Sequence, residues 1–265
     1  MELVLSLFPG CDLLGRSFAA AGFAVVTGPD LFFGQDIRSF HVPPGRFDGV
    51  IGGPPCQDFS SARRAAPTGD GVACLREFLR IVSEARPAWF LLENVPRVPE
   101  VTLPGYVTQR LDVWDCEFGG LQLRCRHVQF GSAAGDIIRP LRSHVPPRAP
   151  LRTRLALPAV TTQGHGPASR LSERRRRQGV PPTWTWPAFR RAALSVMIGN
   201  GVPVPVALAL ARAVIHRSPP NPRYDCACRC GRPLTGRQTS AASVACRQRL
   251  SRLARGILRP SVTWP

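Results

Sequence analysis

Ile51-Gly52-Gly53-Pro54-Pro55-Cys56-Gln57-Asp58-Phe59-Ser60 is the stretch whose reading decides the fold. The apolar run over residues 47–51 reads as a buried strand, and the paired glycines and prolines stop it abruptly. Cys56 is thereby held in a stiff loop at the strand's end, where a thiol is presented as a nucleophile. A single cysteine is more often a small buried hydrophobe, and that reading stands beside the first until other parts of a site are found.

Working outward, residues 2–8 form an apolar run that predicts a central parallel strand, broken at Pro9-Gly10-Cys11-Asp12. Leu13, Leu14, Phe18 and Ala21 then fall on one side of a helix ending near Gly22. Strand, glycine turn and helix make the nucleotide-binding opening of a doubly wound fold. A second strand over 23–27 ends at Asp30, where a carboxylate ordinarily bonds ribose hydroxyls. Beyond the Cys56 loop, Leu75, Phe78, Leu79 and Val82 predict a helix over 72–84. A strand over 89–92 follows and ends in Glu93-Asn94-Val95. Glu93 is either a surface carboxylate or a second functional group at a strand's C-terminal end, where ligands of open α/β sheets bind. The fold class expected is α/β, a doubly wound and mostly parallel Rossmann-like sheet.

The chain has 265 residues and a formal charge of +18, and arginine supplies every basic residue. Residues 1–120 hold 10 Arg against 14 acids, whereas 121–265 hold 25 Arg against 3 acids. So lopsided a distribution calls for a polyanion, and nucleic acid is the expected partner because arginines at phosphates release condensed counterions; a membrane surface is the weaker alternative, since no basic amphipathic helix with a large apolar face is found. No run of apolar residues is long enough to cross a membrane and no signal peptide opens the chain, so a cytoplasmic protein with no membrane partner is expected. Five of the 9 cysteines are scattered and four gather near the end, a pattern that argues against a disulfide framework.

Gly-Gly-Pro-Pro-Cys-Gln-x-Phe-Ser at 52–60 resembles the signature loop of the 5-cytosine DNA methyltransferases. Four further stretches resemble that family in the right order: the Phe8 to Asp12 turn, Glu93-Asn94-Val95, Gln122-x-Arg124-x-Arg126, and Gly199-Asn200-Gly201-Val202 before an alanine- and leucine-rich helix to about Ile215. The resemblance implies an S-adenosylmethionine-dependent enzyme that methylates C5 of a flipped cytosine. Cys56 would add to C6, Glu93 would grip N3, and Arg124 and Arg126 would support the catalytic thiol and the base. Phe8, Gly10, Cys11, Asp12, Leu13, Asp30, Asp36, Ile37, Pro54, Asn200 and Val202 would hold the cofactor. Asp12 stands where the family has a second glycine, and few residues separate Asp30 from Asp36, so the helix between them should be short or missing. The family also implies a restriction-modification setting with an endonuclease partner, and a monomer on double-stranded DNA. A tRNA methyltransferase of the same chemistry, and a DNA-binding protein that has lost catalysis, are the competing readings.

Gln122, Arg124 and Arg126 should share one face of a strand. Residues 146–150 read as an extended linker, 157–162 as a short strand, and Arg63-Arg64 as part of a flexible stretch before the helix. Arg174 to Arg177 is either a solvated run or a phosphate contact. The expected organisation is a catalytic and cofactor domain over 1–138, a small target-recognition region over 139–190, a helix over 191–218 returning to the first domain, and a basic Cys-rich tail over 219–265. In that tail Cys226, Cys228, Cys230 and Cys246 have the donor set of a tetrahedral Zn²⁺ site with irregular spacing, and a basic tail without metal is the alternative.

Overall fold

Alternation along the central strands sorts their side chains into two apolar layers, and a computed structural model of the chain shows how those layers are covered. It describes residues 1–60, 66–143, 157–159, 170–236, 238–256 and 261–264. In chain order the elements are β1 (Leu3–Leu7), α1 (Leu13–Ala20), β2 (Ala24–Thr27), β3 (Gly49–Gly52), α2 (Asp70–Ala85), β4 (Trp89–Asn94), β5 (Glu100–Thr102) and β6 (Val107–Trp114). There follow β7 (Gln122–Leu123), β8 (Cys125–Ser132), β9 (Leu157–Pro158), α3 (Leu171–Arg177), α4 (Arg191–Asn200), α5 (Val204–Ile215), α6 (Val244–Ala254) and β10 (Ser261–Thr263). One six-stranded sheet has the order β2-β1-β3-β4-β8-β6. Its first four strands are parallel, and β8 runs antiparallel to both β4 and β6.

Val4, Ile51, Trp89 and Leu91 face one side, with Phe18 of α1 and Leu210 of α5 in the same cluster. Leu5, Val50, Phe90 and Leu92 face the other, with Phe78 and Leu79 of α2. This period of two, buried on both sides, is why the strands read as continuous apolar runs. Strand and helix therefore make the doubly wound, mostly parallel α/β fold expected. Because β1, β3 and β4 are parallel, their C-terminal ends, and so the Pro9, Gly53 and Glu93 segments, lie at one edge of the sheet.

Two helix starts are fixed by side chains from the loops that matter. Asp12 takes the left-handed conformation (φ 55°) and its carboxylate accepts from Gly15 N at 2.9 Å and from Ser6 Oγ at 2.8 Å. An aspartate thus does locally what glycine would do there, with a cap in addition. Asp58 accepts from the backbone N–H groups of Gly69 at 3.0 Å and Gly71 at 2.8 Å, so the Cys56 loop is tied to the first turn of α2. Between β2 and β3 stand only two short 3-10 turns, Leu31–Phe33 and Ile37–Ser39, as the close spacing of Asp30 and Asp36 implied.

Several elements differ from expectation. Gln122 to Arg126 is not one strand: β7 pairs with β9 while β8 joins the main sheet, so the chain bends at Arg124 to serve two partners. β6 was not anticipated, and the helix expected over 191–218 is two helices, α4 and α5, separated at residues 201–203. The linker at 146–150, Arg63-Arg64, and residues 160–162 of the expected short strand lie outside the described residues. Beyond α5, Asp225 pairs with Arg139, whose Nε lies 2.7 Å from its Oδ1, and β10 adds a parallel strand to β5. Gly231 lies against Leu111 and the Ile138 carbonyl, which sets the Cys-bearing segment on β6, the edge of the sheet. No single described helix is long and apolar enough to cross a membrane.

Candidate active site and cysteine cluster

A cleft of about 520 Å³ opens at the C-terminal ends of β1, β3 and β4. It is walled by the three turns the sequence singled out. From the first turn come Phe8, Gly10, Asp12 and Leu13; from the segment after β2, Asp30, Asp36 and Ile37; from the loop after β3, Pro54 and Cys56. Glu93 of β4 and Arg126 of β8 close the inner end, and Asn200 and Val202 lie on the opposite wall. Asp30 joins the first two turns, because its Oδ2 accepts from Gly10 N at 2.8 Å and its Oδ1 from Phe32 N at 2.9 Å. Asp36 caps the second 3-10 turn by accepting from Arg38 N at 3.0 Å.

At the inner end two acids share one cation. Glu93 is 6% exposed and its Oε1 lies 2.7 Å from Arg126 Nε. The two groups form a buried ion pair at that distance. Burial raises the Glu93 carboxyl to about 7, although Arg126 pulls it down. The Cys56 thiol is raised as well, by burial first and by the Glu93 charge second, with Arg126 opposing. Arg126 acts on Cys56 in the direction expected of a supporting arginine and is outweighed by burial and Glu93. Ionising either acid makes the other harder to ionise, so the pocket favours one negative charge beside Arg126.

Two predicted residues are placed elsewhere. Cys11 is 3% exposed and packs with Trp186 and Met197, away from the cleft; its contribution is a carbonyl that accepts from Trp186 Nε1 at 2.8 Å. Arg124 is not catalytic in position. The bend between β7 and β8 aims it at the C-terminal end of α4, where Nη2 donates to the carbonyl of Gly199 at 2.9 Å and lies 3.4 and 3.3 Å from those of Asn200 and Gly201. Sequence reasoning missed two partners in this work. Gln178 is fully buried and donates to the carbonyls of Ile198 at 2.7 Å and Gly201 at 3.0 Å. Asn94 donates to the Pro54 carbonyl at 2.9 Å and so fastens the Cys56 loop to β4. Asn94 stood beside Glu93 in the sequence and could have been found by its place at a strand end; Gln178 carried no local signal.

The four clustered cysteines form a second constellation. Their sulfurs all lie within 4.8 Å of one another, with Cys226 and Cys228 at 3.4 Å and Cys230 and Cys246 at 3.7 Å. A tetrahedron of thiolates about 2.3 Å from a central Zn²⁺ has edges of about 3.8 Å, close to these spacings and far from a disulfide bond of about 2.05 Å. Donors already point at the sulfurs: Ala242 N at 3.3 Å from Cys226 Sγ and Ser243 Oγ at 3.1 Å from Cys246 Sγ. Such donors steady thiolate ligands in metal sites. All 9 cysteines of the chain are free.

The sheet order and the cleft together define a Rossmann-like α/β protein with a cysteine thiol in the cleft after its third strand. The model of a family described as C-5 cytosine-specific DNA methylase matches residues 34–102. Type II methyltransferase M.HgiGI of Herpetosiphon aurantiacus is 34% identical over 114 residues, 35% of this chain and 90% of its own length. Type II methyltransferase M.AgeI of Thalassovita gelatinovora is 30% identical over 180 residues; the match takes in 53% of this chain and 42% of that protein. The chain belongs to the C-5 cytosine-specific DNA methylase family. Its fold is also that of a prophage-encoded E. coli protein described as a DNA modification methyltransferase (TM-score 0.56, 16% identity, 82% of this chain and 99% of that one). The Entamoeba histolytica methyltransferase EhMeth is similar to the same degree (TM-score 0.59, 12% identity, 82% and 98%).

Proposed function

We propose that the chain is an S-adenosylmethionine-dependent DNA cytosine-5 methyltransferase that works on a flipped cytosine through a covalent bond to Cys56. The observation that carries this reading is the convergence of Cys56, Glu93 and Arg126 in one cleft that Asp30, Asp36 and Ile37 also line. The donor set suits the cofactor: carboxylates line the space for a ligand with a cationic end and ribose hydroxyls, and Ile37 and Phe32 offer apolar surface to a ring. Bound there, S-adenosylmethionine supplies an electrophilic sulfonium methyl group.

The chain's own residues make the base reactive. C5 of cytosine is a poor nucleophile, so Cys56 Sγ bonds to C6 as its proton leaves, while protonated Glu93 donates to N3 and removes the growing negative charge. A carboxyl held at about 7 is protonated in a large fraction of molecules at neutral pH, as that donation requires. As Glu93 gives up its proton, Arg126 remains as the counter-charge. Once C5 has taken the methyl group, its hydrogen leaves as a proton to water, and the C6–S bond breaks with its electron pair returning to Cys56. N3 returns its proton to Glu93, which restores the ring. C6 is out of reach inside a duplex, so the base is extruded at a cost of a few kcal/mol, offset by phosphate contacts.

The same proposal assigns the catalytic and cofactor site to residues 1–138, a small recognition region to 139–190, the returning segment to 191–218 and a zinc-bearing tail to 219–265. Zn²⁺ is held by Cys226, Cys228, Cys230 and Cys246, on the sulfur spacings above. Nine free cysteines support a reducing, cytoplasmic location. A restriction endonuclease partner follows the Type II naming of the relatives, and one chain acts per site on DNA. Transfer of labelled methyl from S-adenosylmethionine to duplex DNA, run beside tRNA, tests the reading. Duplex labelling that is lost in Cys56→Ser is expected. Labelling of tRNA alone, or no covalent adduct with 5-fluorocytosine DNA and cofactor, would overturn it.

A further inference from the structure

We infer that the zinc-stapled C-terminal module is a grip on the DNA backbone, presenting the arginines of α6 to phosphates beside the catalytic cleft. The inference rests on the zinc and DNA readings just given and says which surface does the holding. Residues 219–265 contain 9 arginines and a single acid, Asp225, and that acid is already spent on Arg139. Even with the net charge of −2 that four thiolates and one Zn²⁺ carry, the segment remains strongly cationic.

The fold of α6 sorts these charges. At 100° per residue, Arg247, Arg255 and Arg252 occupy an arc of about 140° on the side away from Cys246 and Leu250. Cys246 is buried in the thiol cluster and Leu250 packs against it, so the inner face is fixed by the metal site. Arg247, Arg252 and Arg255 are exposed, and none of their side chains makes an ion pair or hydrogen bond with a described residue. Some other arginines are paired, as Arg176 is with Glu173 and Arg217 with Glu2. Three unpaired guanidinium groups spread over about 12 Å of helix have no internal use and match a polyanion.

Position supplies the second argument. β6 runs parallel to β4, and register through His127 sets Asp112 level with Asn94, the neighbour of Glu93. Asp112 and Arg252 line one surface cavity with Cys228 and Cys230, and Arg232 lies 3.9 Å from Glu117 just past the end of β6. The module therefore flanks the sheet at the height of the catalytic residues, two strand spacings, about 10 Å, from β4. A duplex whose base enters the cleft must extend sideways, and this flank offers it the three exposed guanidinium groups of Arg247, Arg252 and Arg255.

The test uses the full chain with its metal. Zinc content is measured on wild type and on the Arg247→Ala, Arg252→Ala, Arg255→Ala triple variant, and the affinity of each for a fluorescent DNA duplex is followed against salt. About one zinc per chain is expected in both. The triple variant should bind duplex roughly tenfold or more weakly, and its slope of log K against log salt should be shallower by about 2 to 3, as for loss of three phosphate contacts. Cys226→Ser with Cys228→Ser should lose metal and weaken duplex binding together. A triple variant that keeps zinc and binds duplex with wild-type affinity and slope overturns the grip while leaving the zinc reading intact. Wild-type protein without zinc overturns the staple, and preference for tRNA over duplex overturns the partner. Every readout is a binding measurement, so the grip is judged whether or not methyl transfer is seen.

Discussion

Glu93→Gln keeps the shape of the protonated side chain and removes its ability to ionise. Burial holds the folded carboxyl at about 7 against an ordinary value of 4.5, and the pull of Arg126 is already contained in that net rise. Between those values the unfolded chain has released its proton and the folded chain has not, so stability is lost as pH rises through the window. At 1.36 kcal/mol per pKa unit the loss is about 3 kcal/mol, complete above the folded value. The variant escapes it. In urea unfolding it should match wild type near pH 4 and exceed it by about 3 kcal/mol near pH 8. The same substitution deletes a charge that holds the Cys56 thiol up, so alkylation of Cys56 by iodoacetamide, followed on its own peptide, should begin at lower pH than in wild type. Methyl transfer should meanwhile fall by about 10²- to 10⁴-fold, as for loss of a general acid. A dead enzyme with a more reactive thiol is an unusual pairing. If neither the stability profile nor the alkylation profile moves, Cys56 and Glu93 do not share a field and the coupled-acid reasoning is wrong.

Asp12 fills a left-handed position and caps α1, so Asp12→Ala should cost about 1 kcal/mol in thermal or urea unfolding, whereas Asp12→Gly should be neutral to within a few tenths. Asn94→Ala leaves the Pro54 carbonyl without its buried donor; about 1 to 3 kcal/mol of stability should go, and kcat should fall by roughly 10²-fold as the Cys56 loop shifts. Arg124→Met removes the donor from the carbonyls of residues 199–201, so cofactor affinity by calorimetry should drop by about tenfold while Cys56 alkylation stays as in wild type.

The parts of the fold that could be read from the chain are those where glycine and proline punctuate apolar runs. β1, β3 and β4 each end at such a break, and the side chains at those breaks make the cleft. β6, and the division of the 191–218 helix into α4 and α5, escaped because their residues are ordinary only in context. Gln109 and Arg110 sit buried in β6 because Gln109 bonds the Ile138 backbone and Arg110 reaches Glu100 and the Pro96 carbonyl, partners far along the chain. α4 ends in Gly199 and Asn200, poor helix formers that are held by Gln178 and Arg124 from other segments. The role given to Arg124 failed for a related reason. Alternation was assumed across residues 122–126, but a bend taken to satisfy two different sheets redirects the middle residue.

The two short turns between β2 and β3 leave one side of the cleft as a low rim. Leu31 and Phe32 on that rim are 75% and 57% exposed, where a full helix would have made a wall. With the purine of the cofactor lying along Ile37 as proposed, its outer edge looks into solvent. Analogues enlarged at that edge would project into water without displacing side chains, so a reporter carried on the purine should leave cofactor binding intact and make occupancy of the cleft directly visible.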